Sequence, residues 1–416
     1  MDLVDFLITL AVVVAAFALW LVSTALFIWG ERRIVAKMQS RLGPNRLGPL
    51  GVLQTLADGI KLFFKEDIEP VGVDRVVYYL APAASAIVAM VTFAVVPFGG
   101  TFTVGEREIA LQVWDPNIGM LWILAMSSLA VYGVALGGWA SGSKYPLLGG
   151  VRSTAQMISY ELALSLGLAA VFVWNGTLQA SAIVEAQRQL LQFGPISLPA
   201  WNVVPQLPAF ALFFIAAVAE AERPPFDLPE GEGELVGGFN TEYSSAKFAM
   251  FFLAEFMSVI TMSAVVVTLF FGGPAGPLFG LEGTFAGALL GVLYFAIKVF
   301  VFMFVFVWLR GTLPRMKYDR LMDLGWKVLL PVGLVWVLAT ATIVVAQATV
   351  ERSAMLGAIA VVAAAMIVFV LVAPLFERRR PPPAAEGEDE EPPPDRLQQL
   401  RRTIDERTPD RVTVKS

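Results

Sequence analysis

The chain has 416 residues, of which 57% are hydrophobic and only 16% charged, with a formal net charge of −5. An ordinary soluble domain is about 25% charged, and this chain also carries repeated apolar runs as long as the ~20 residues that span a bilayer. It contains no Cys and no His, which excludes iron–sulfur clusters, His- or Cys-ligated haem, typical zinc sites, a catalytic cysteine and a serine–histidine triad. Redox chemistry at this chain therefore belongs to a diffusible substrate or to another polypeptide.

Hydropathy predicts an all-α polytopic membrane protein with nine transmembrane helices, at 3–29, 74–97, 117–140, 153–175, 204–221, 244–271, 285–309, 327–348 and 354–376. Helices satisfy the backbone within the segment where lipid offers no hydrogen-bond partner, whereas an open sheet would leave its edges unpaired. The first run begins with Asp2 and Asp5, without the basic start of a signal peptide, and reads as a true span. After it, residues 50–65 (LGVLQTLADGIKLFFK) place Leu53, Leu56, Ile60 and Phe64 at helical spacing. This segment is too short and too charged to span, so a cytoplasmic amphipathic surface helix is expected. It serves either as a connector covering the bundle or as one wall of a lipid-level entrance.

Lys and Arg set the orientation. Loop one (31–75) holds eight of them, loops three and five two each, and loop seven five, whereas the intervening loops hold one each. Basic residues stay on the cytoplasmic side, so the N-terminus is expected outside and, after nine spans, the C-terminus inside. From Glu377 the chain turns Pro-, Glu- and Arg-rich, too poor in apolar surface to offset its ordering entropy. The expected organisation is a membrane core at 1–348, an additional helix at 349–376 and a disordered cytoplasmic tail at 377–416.

Five ionisable residues fall within or at the ends of spans: Glu161, Glu220, Glu222, Glu255 and Lys298. Each costs about 2.5–3.5 kcal/mol at a helix centre, so they are expected to face the bundle interior or a hydrated path and to pair with one another. The acidic loop 220–243 adds Asp227, Glu230, Glu232, Glu234 and Glu242, opposed by Arg223 and the later Lys247. Pro224, Pro225, Pro229, Gly231 and Gly233 make it irregular chain. Crowded carboxylates raise one another's pKa and release protons in coupled steps, which suits a relay. A structural Glu–Lys pair and a solvated acidic loop are the plainer alternatives to a proton path or ion site.

Three long stretches carry a family resemblance: ERRIVAKMQSRLGPNRLGPLGVLQTLADGIKLFFKED at 31–67, AEAERPPFDLPEGEGELVGGFNTEYSSAKFAMFFLAE at 219–255 and RGTLPRMKYDRLMDLGWK at 310–327. They resemble the H-type membrane subunits of bacterial proton-translocating NADH–quinone oxidoreductase, respiratory complex I, whose mitochondrial counterpart is NADH dehydrogenase subunit 1. The resemblance covers roughly 1–348, an eight-span family core, and departs from it at the ninth helix and tail. It implies a multi-pass component of the bacterial plasma (inner) membrane that forms a quinone chamber with peripheral quinone-site and iron–sulfur subunits. Antiporter-like and small membrane subunits are the other implied partners, with quinone (ubiquinone or menaquinone) as substrate and no haem, iron–sulfur cluster or flavin on this chain.

Carried over by motif, Glu31, Arg32, Asp58, Arg223, Phe226, Asp227, Arg310 and Arg315 are the implied quinone-chamber residues. Arginine donors there would stabilise negative charge developing on a quinone oxygen. Glu161, Glu220, Glu230, Glu232, Glu234, Glu242 and Glu255 are the implied proton path. No role transfers to Lys298. Quinone is expected to enter between span one, the surface helix and span six. The rival readings are the equivalent component of a related hydrogenase, ferredoxin- or F420-dependent complex, and a stand-alone ion or proton antiporter. The antiporter reading predicts internal repeats with matched helix breaks, and none is visible.

Overall fold

The computed structural model describes residues 3–105, 107–193, 196–227, 236–278 and 280–349. The apolar runs become helices, and the first is longer than hydropathy alone predicts. Helix α1 (Leu3–Met38) has 36 residues and is about 54 Å long, well beyond the ~30 Å hydrocarbon core. The motif ERRIVAKM, expected to open loop one, is instead the end of α1. Nothing from Glu31 to Met38 breaks a helix, and the chain turns only at Ser40, in the left-handed region, and at Gly43–Pro44.

Helix α2 (Gln54–Phe64) follows, then α3 (Arg75–Phe93), whose N-cap Asp74 accepts a hydrogen bond from the Val77 N–H. Helices α4 (Gly119–Ala140), α5 (Lys144–Asn175), α6 (Ala180–Arg188) and α7 (Leu207–Glu220) come next. They are followed by α8 (Ser245–Phe270), α9 (Phe285–Thr312) and α10 (Tyr318–Asp323). A π-helical turn at Leu324–Leu329 joins α10 to α11 (Leu330–Thr349). Two short 3-10 turns, Pro49–Gly51 and Gly238–Asn240, and two antiparallel hairpins complete the described elements, β1 (Thr101–Val104) with β2 (Arg107–Ala110) and β3 (Leu190–Phe193) with β4 (Ile196–Pro199).

Among the described residues, seven helices are long and apolar enough to cross a membrane: α1, α3, α4, α5, α8, α9 and the continuous run Tyr318–Gln347. The predicted fifth span is the exception. Helix α7 has 14 residues, about 21 Å, because the chain leaves it at Glu220 for a tight turn that belongs to the site described below. The predicted ninth span and the tail lie outside the described residues, as do Glu230, Glu232 and Glu234. The chain divides into units Met1–Met355 and Leu356–Ser416, and all the described structure lies in the first.

Within that unit α8 is the most buried of the long helices. Helix α3 packs on α4 and α8, α4 on α5, and α5 on α7 and α11, while α1 and α9 lean on another side of α8. Lipid supplies no hydrophobic drive between helices, so close van der Waals fit and hydrogen bonds must hold such a bundle. A Cβ on Gly138 of α4 would meet the Pro146 carbonyl oxygen at 2.6 Å and the Gly150 Cα at 3.0 Å, so only glycine allows α4 and α5 to approach this closely. Trp20 of α1 stacks on Phe93 at 5.7 Å, and Phe27 meets Phe256 of α8 edge-on at 5.8 Å. The outer face of α1 presents Leu7, Leu10 and Val14, apolar side chains suited to lipid.

Candidate functional site

Four elements bring charge together around buried Glu31 and Arg223, with Arg310 at the exposed edge. Glu31 of α1, only 4% exposed, forms an ion pair with Arg310 of α9. The Arg223 guanidinium lies 3.5 Å from the same Glu31 oxygen and 3.1 Å from Oε1 of Glu255 on α8. Its flat face sits 4.1 Å from the centre of the Phe256 ring. Two acids and two bases thus balance, which is the condition for placing charge inside a bundle.

The turn after α7 aims these groups. The N–H groups of Ala221, Glu222 and Arg223 donate to Ala217, Ala219 and Val218 respectively, closing the helix end. Glu222 adopts the left-handed conformation (φ 51°), which costs a non-glycine residue roughly 1–2 kcal/mol. The reversal sends Arg223 to the ionic cluster and Glu222 to the hydroxyl of Ser153 on α5. Gln156 of α5, fully buried, donates to the Ala219 carbonyl (2.9 Å) and to the Phe226 carbonyl (2.8 Å) and so splints both ends of the turn. Phe226 in turn packs 5.6 Å from the Tyr160 ring.

On one side of the cluster lies a cavity of about 90 Å³ lined by Glu220, Glu222 and Glu255 with Ser85, Ser127 and Thr261. The Ser127 hydroxyl donates to Glu220 at 2.6 Å, and Ser128 donates to Glu161. The Ser85 and Thr261 hydroxyl oxygens are buried without a protein partner, and the space is large enough for several waters to serve them. Sequence reasoning misses these serines and Gln156. The one signal for them is a pair of hydroxyls, Ser127 and Ser128, in the middle of an apolar span.

On the other side of the cluster runs an apolar crevice of about 590 Å³ with Glu31 in its lining. Its walls are one face of α1, one face of α9 from Val292 to Val307, and Ile260 and Ala264 of α8. A quinone entrance is expected between span one, the surface segment 50–65 and span six. Leu50 of that segment and Ile260 and Ala264 of span six line this crevice, α2 itself does not, and α9 supplies the facing wall. Arg223 therefore stands between two spaces, through Glu31 to the crevice and through Glu255 to the cavity.

Arg32 and Asp58 pair with each other, tying α2 to α1. Partial burial pushes the Asp58 carboxyl up, but hydrogen bonds from Arg32 and Gln54 and the charges of Arg32 and Lys61 outweigh it and hold it below the usual carboxylate range. Asp58 is therefore charged at neutral pH. The far end of α2 is held by Ser245, whose hydroxyl donates to the Leu62 and Lys65 carbonyls. Nearby, buried Lys247 pairs with Asp67 at 2.8 Å beneath the rings of Tyr78 and Tyr79. Asp227 is half-buried and Arg315 exposed, neither in the four-residue cluster. Glu242 touches the bundle through its backbone, whose carbonyl accepts from Tyr78.

Among the described residues Lys298 pairs with no carboxylate, so the plainer alternative of a structural Glu–Lys pair is not seen there. Its ammonium donates to the carbonyls of Phe271 (2.9 Å), Gly273 (2.9 Å) and Ala275 (2.7 Å), capping the end of α8 and the turn beyond it. A cation there satisfies carbonyls that a helix end leaves open. Lys298→Met should lower stability by only about 1–2 kcal/mol, because water in the adjoining 740 Å³ cavity can hydrate the released carbonyls. Thermal unfolding of the assembled complex should register that loss. A loss beyond about 3 kcal/mol, the cost of a buried carbonyl left unpaired, would contradict hydration of the released carbonyls.

The family model for NADH dehydrogenase matches residues 10–341. The H subunit of NADH-quinone oxidoreductase from Frankia casuarinae is 51% identical over 339 residues, covering 81% of this chain and 73% of that protein. Its namesake from Frankia alni is 50% identical over 339 residues, with the same coverage. The family match takes in most of α1 and of α11 and everything between them, and with it every residue of the ionic cluster. The chain belongs to the NADH dehydrogenase family, in which these relatives are the H subunits of NADH-quinone oxidoreductases.

Proposed function

We propose that this chain is the membrane subunit of an NADH–quinone oxidoreductase that forms the quinone chamber with peripheral subunits and couples quinone reduction to proton translocation. The observation that carries this reading is the position of Arg223, paired with Glu31 of the apolar crevice and with Glu255 of the carboxylate-lined cavity. The crevice suits an isoprenoid tail, apolar along its length and ending at charge. Arg310, Arg223, Arg32 and Arg315, with Asp58, Phe226 and Asp227, form this chain's share of the headgroup end. Helix α2, with Leu56, Ile60 and Phe63 exposed, lies in the cytoplasmic interface beside the mouth. The N-terminus is outside, and residues 1–348 act as the membrane core.

Quinone reduction to quinol takes two electrons and two protons, so it either draws protons from nearby acids or leaves negative charge. One unit charge about 4 Å from another is worth roughly 4 kcal/mol at an effective dielectric of 20. That is enough to shift a switching loop by a large factor. Arg223 passes such a change from Glu31 to Glu255, and Glu220, Glu222 and Glu161 continue it through hydroxyl-bonded carboxylates, with Glu230, Glu232, Glu234 and Glu242 on the loop. Glu220→Gln and Asp227→Asn in the assembled complex test the reading. Both should depress NADH–quinone reductase activity and proton translocation together. Full activity with undiminished translocation in both variants would sink it.

A further inference from the structure

The crevice carries charge at one end that the quinone reading leaves unused. Arg33 and Lys37, one helical turn apart on α1, both line it. Arg33 uses one donor on the Leu50 carbonyl (2.9 Å) and lies 5.5 Å from the Trp29 ring. Neither cation has a carboxylate partner among the described residues. Glu31, the only acid lining the crevice, is already held by Arg223 and Arg310.

From Arg33 the α1 wall runs down to Leu19, a rise of about 21 Å, slightly more than the ~15 Å of hydrocarbon in one leaflet. The facing wall on α9 is apolar over a similar length. The dimensions and charge match a single lipid, with a phosphate between two cations and an acyl chain along the groove. A choline or ethanolamine headgroup would add a third cation to a place with no free acid. A net negative headgroup is attracted by both cations, and the acid in the lining, Glu31, is already paired with Arg223 and Arg310.

We propose that this crevice binds an anionic phospholipid of the cytoplasmic leaflet, its phosphate bridging Arg33 and Lys37 and one acyl chain lying between α1 and α9. The inference rests on the crevice and membrane orientation of the proposed function, and it adds an occupant. The lipid chain and the quinone tail share one path, so the lipid sets how readily quinone enters.

The test measures lipid retention without turnover, so its outcome is independent of the Glu220 and Asp227 variants. The assembled complex is equilibrated with mixed micelles of phosphatidylcholine and phosphatidylglycerol, washed, and its retained lipid quantified by mass spectrometry. Each basic residue near a membrane surface contributes on the order of 1 kcal/mol to binding anionic lipid. Affinity for phosphatidylglycerol should therefore fall about fivefold in Lys37→Gln, and further in Arg33→Gln/Lys37→Gln, with phosphatidylcholine unchanged. Lys37→Arg should retain the lipid. Equal phosphatidylglycerol retention in Lys37→Gln and the parent, or parallel loss of both lipids, overturns the proposal. The Lys37 variant leaves the Arg33–Leu50 contact intact, so the result stands even if replacing Arg33 disturbs the fold.

Discussion

Arg223→Gln should reduce NADH–quinone reductase activity of the assembled complex by on the order of 100-fold. Arg223 is 6% exposed and joins Glu31 to Glu255. Removing one member of a buried ionic group costs about 3–5 kcal/mol, because a charge stays behind in low dielectric. Glu31 would keep Arg310, but Glu255 would lose its 3.1 Å ion pair and the cluster would carry one excess negative charge. If about 3 kcal/mol of that loss falls on the reacting state, the rate drops roughly 100-fold.

Arg223→Lys should recover only part of it. One ammonium on a flexible stem cannot keep its charge within 3.5 Å of Glu31 and 3.1 Å of Glu255 while also contacting the Phe256 ring, as the extended guanidinium does. The check is steady-state turnover with proton translocation, normalised to assembled complex. Parent-level activity in Arg223→Gln would show that the crevice and the cavity are not coupled through this residue.

Gln156→Leu is expected to have the next largest effect, although Gln156 touches neither crevice nor cavity. The substitution keeps most of the volume and removes both donors, to Ala219 and to Phe226. Ala219 retains a bond from the Glu222 N–H, whereas Phe226 loses the partner that Gln156 supplies. A buried carbonyl left without a partner costs about 1–3 kcal/mol. The turn between these carbonyls carries Glu222 in its left-handed conformation and aims Arg223, so its loosening should reach the ionic cluster. The expected result is a thermal stability lower by about 2–3 kcal/mol and turnover lower by at least tenfold, read by thermal unfolding and by activity on the same sample. Normal activity at reduced stability would separate the splint from coupling and leave it a purely structural bond.

These residues differ in how legible they are. Glu31, Arg223 and Arg310 are reached through the motifs of the family resemblance, whereas Glu255 stands out in the sequence, because a charge in an apolar span is costly enough to need a reason. Ser127, Ser153 and Gln156 do not, because hydroxyls and amides among transmembrane helices are worth only about 0.6 kcal/mol on average and leave little trace in hydropathy. Hydropathy also assigns the end of α1 to a loop because its charges lower the average, although the helix itself continues to Met38. It gives α7 a full span because it counts apolar residues and does not see where a turn closes.

The one-dimensional pattern of apolar runs, charged interruptions and basic loops determined that this is a helical membrane protein with its acids concentrated around one loop, and the three motif stretches carried the resemblance to its family. Those features are local, since the cost of a charge or an open backbone in lipid depends on the segment alone. Tertiary structure alone decided that Arg223 bridges Glu31 and Glu255, that α9 rather than α2 walls the crevice, and that Lys298 caps carbonyls instead of pairing with an acid. Each of those outcomes depends on which helix faces meet, and packing between segments distant in sequence sets that.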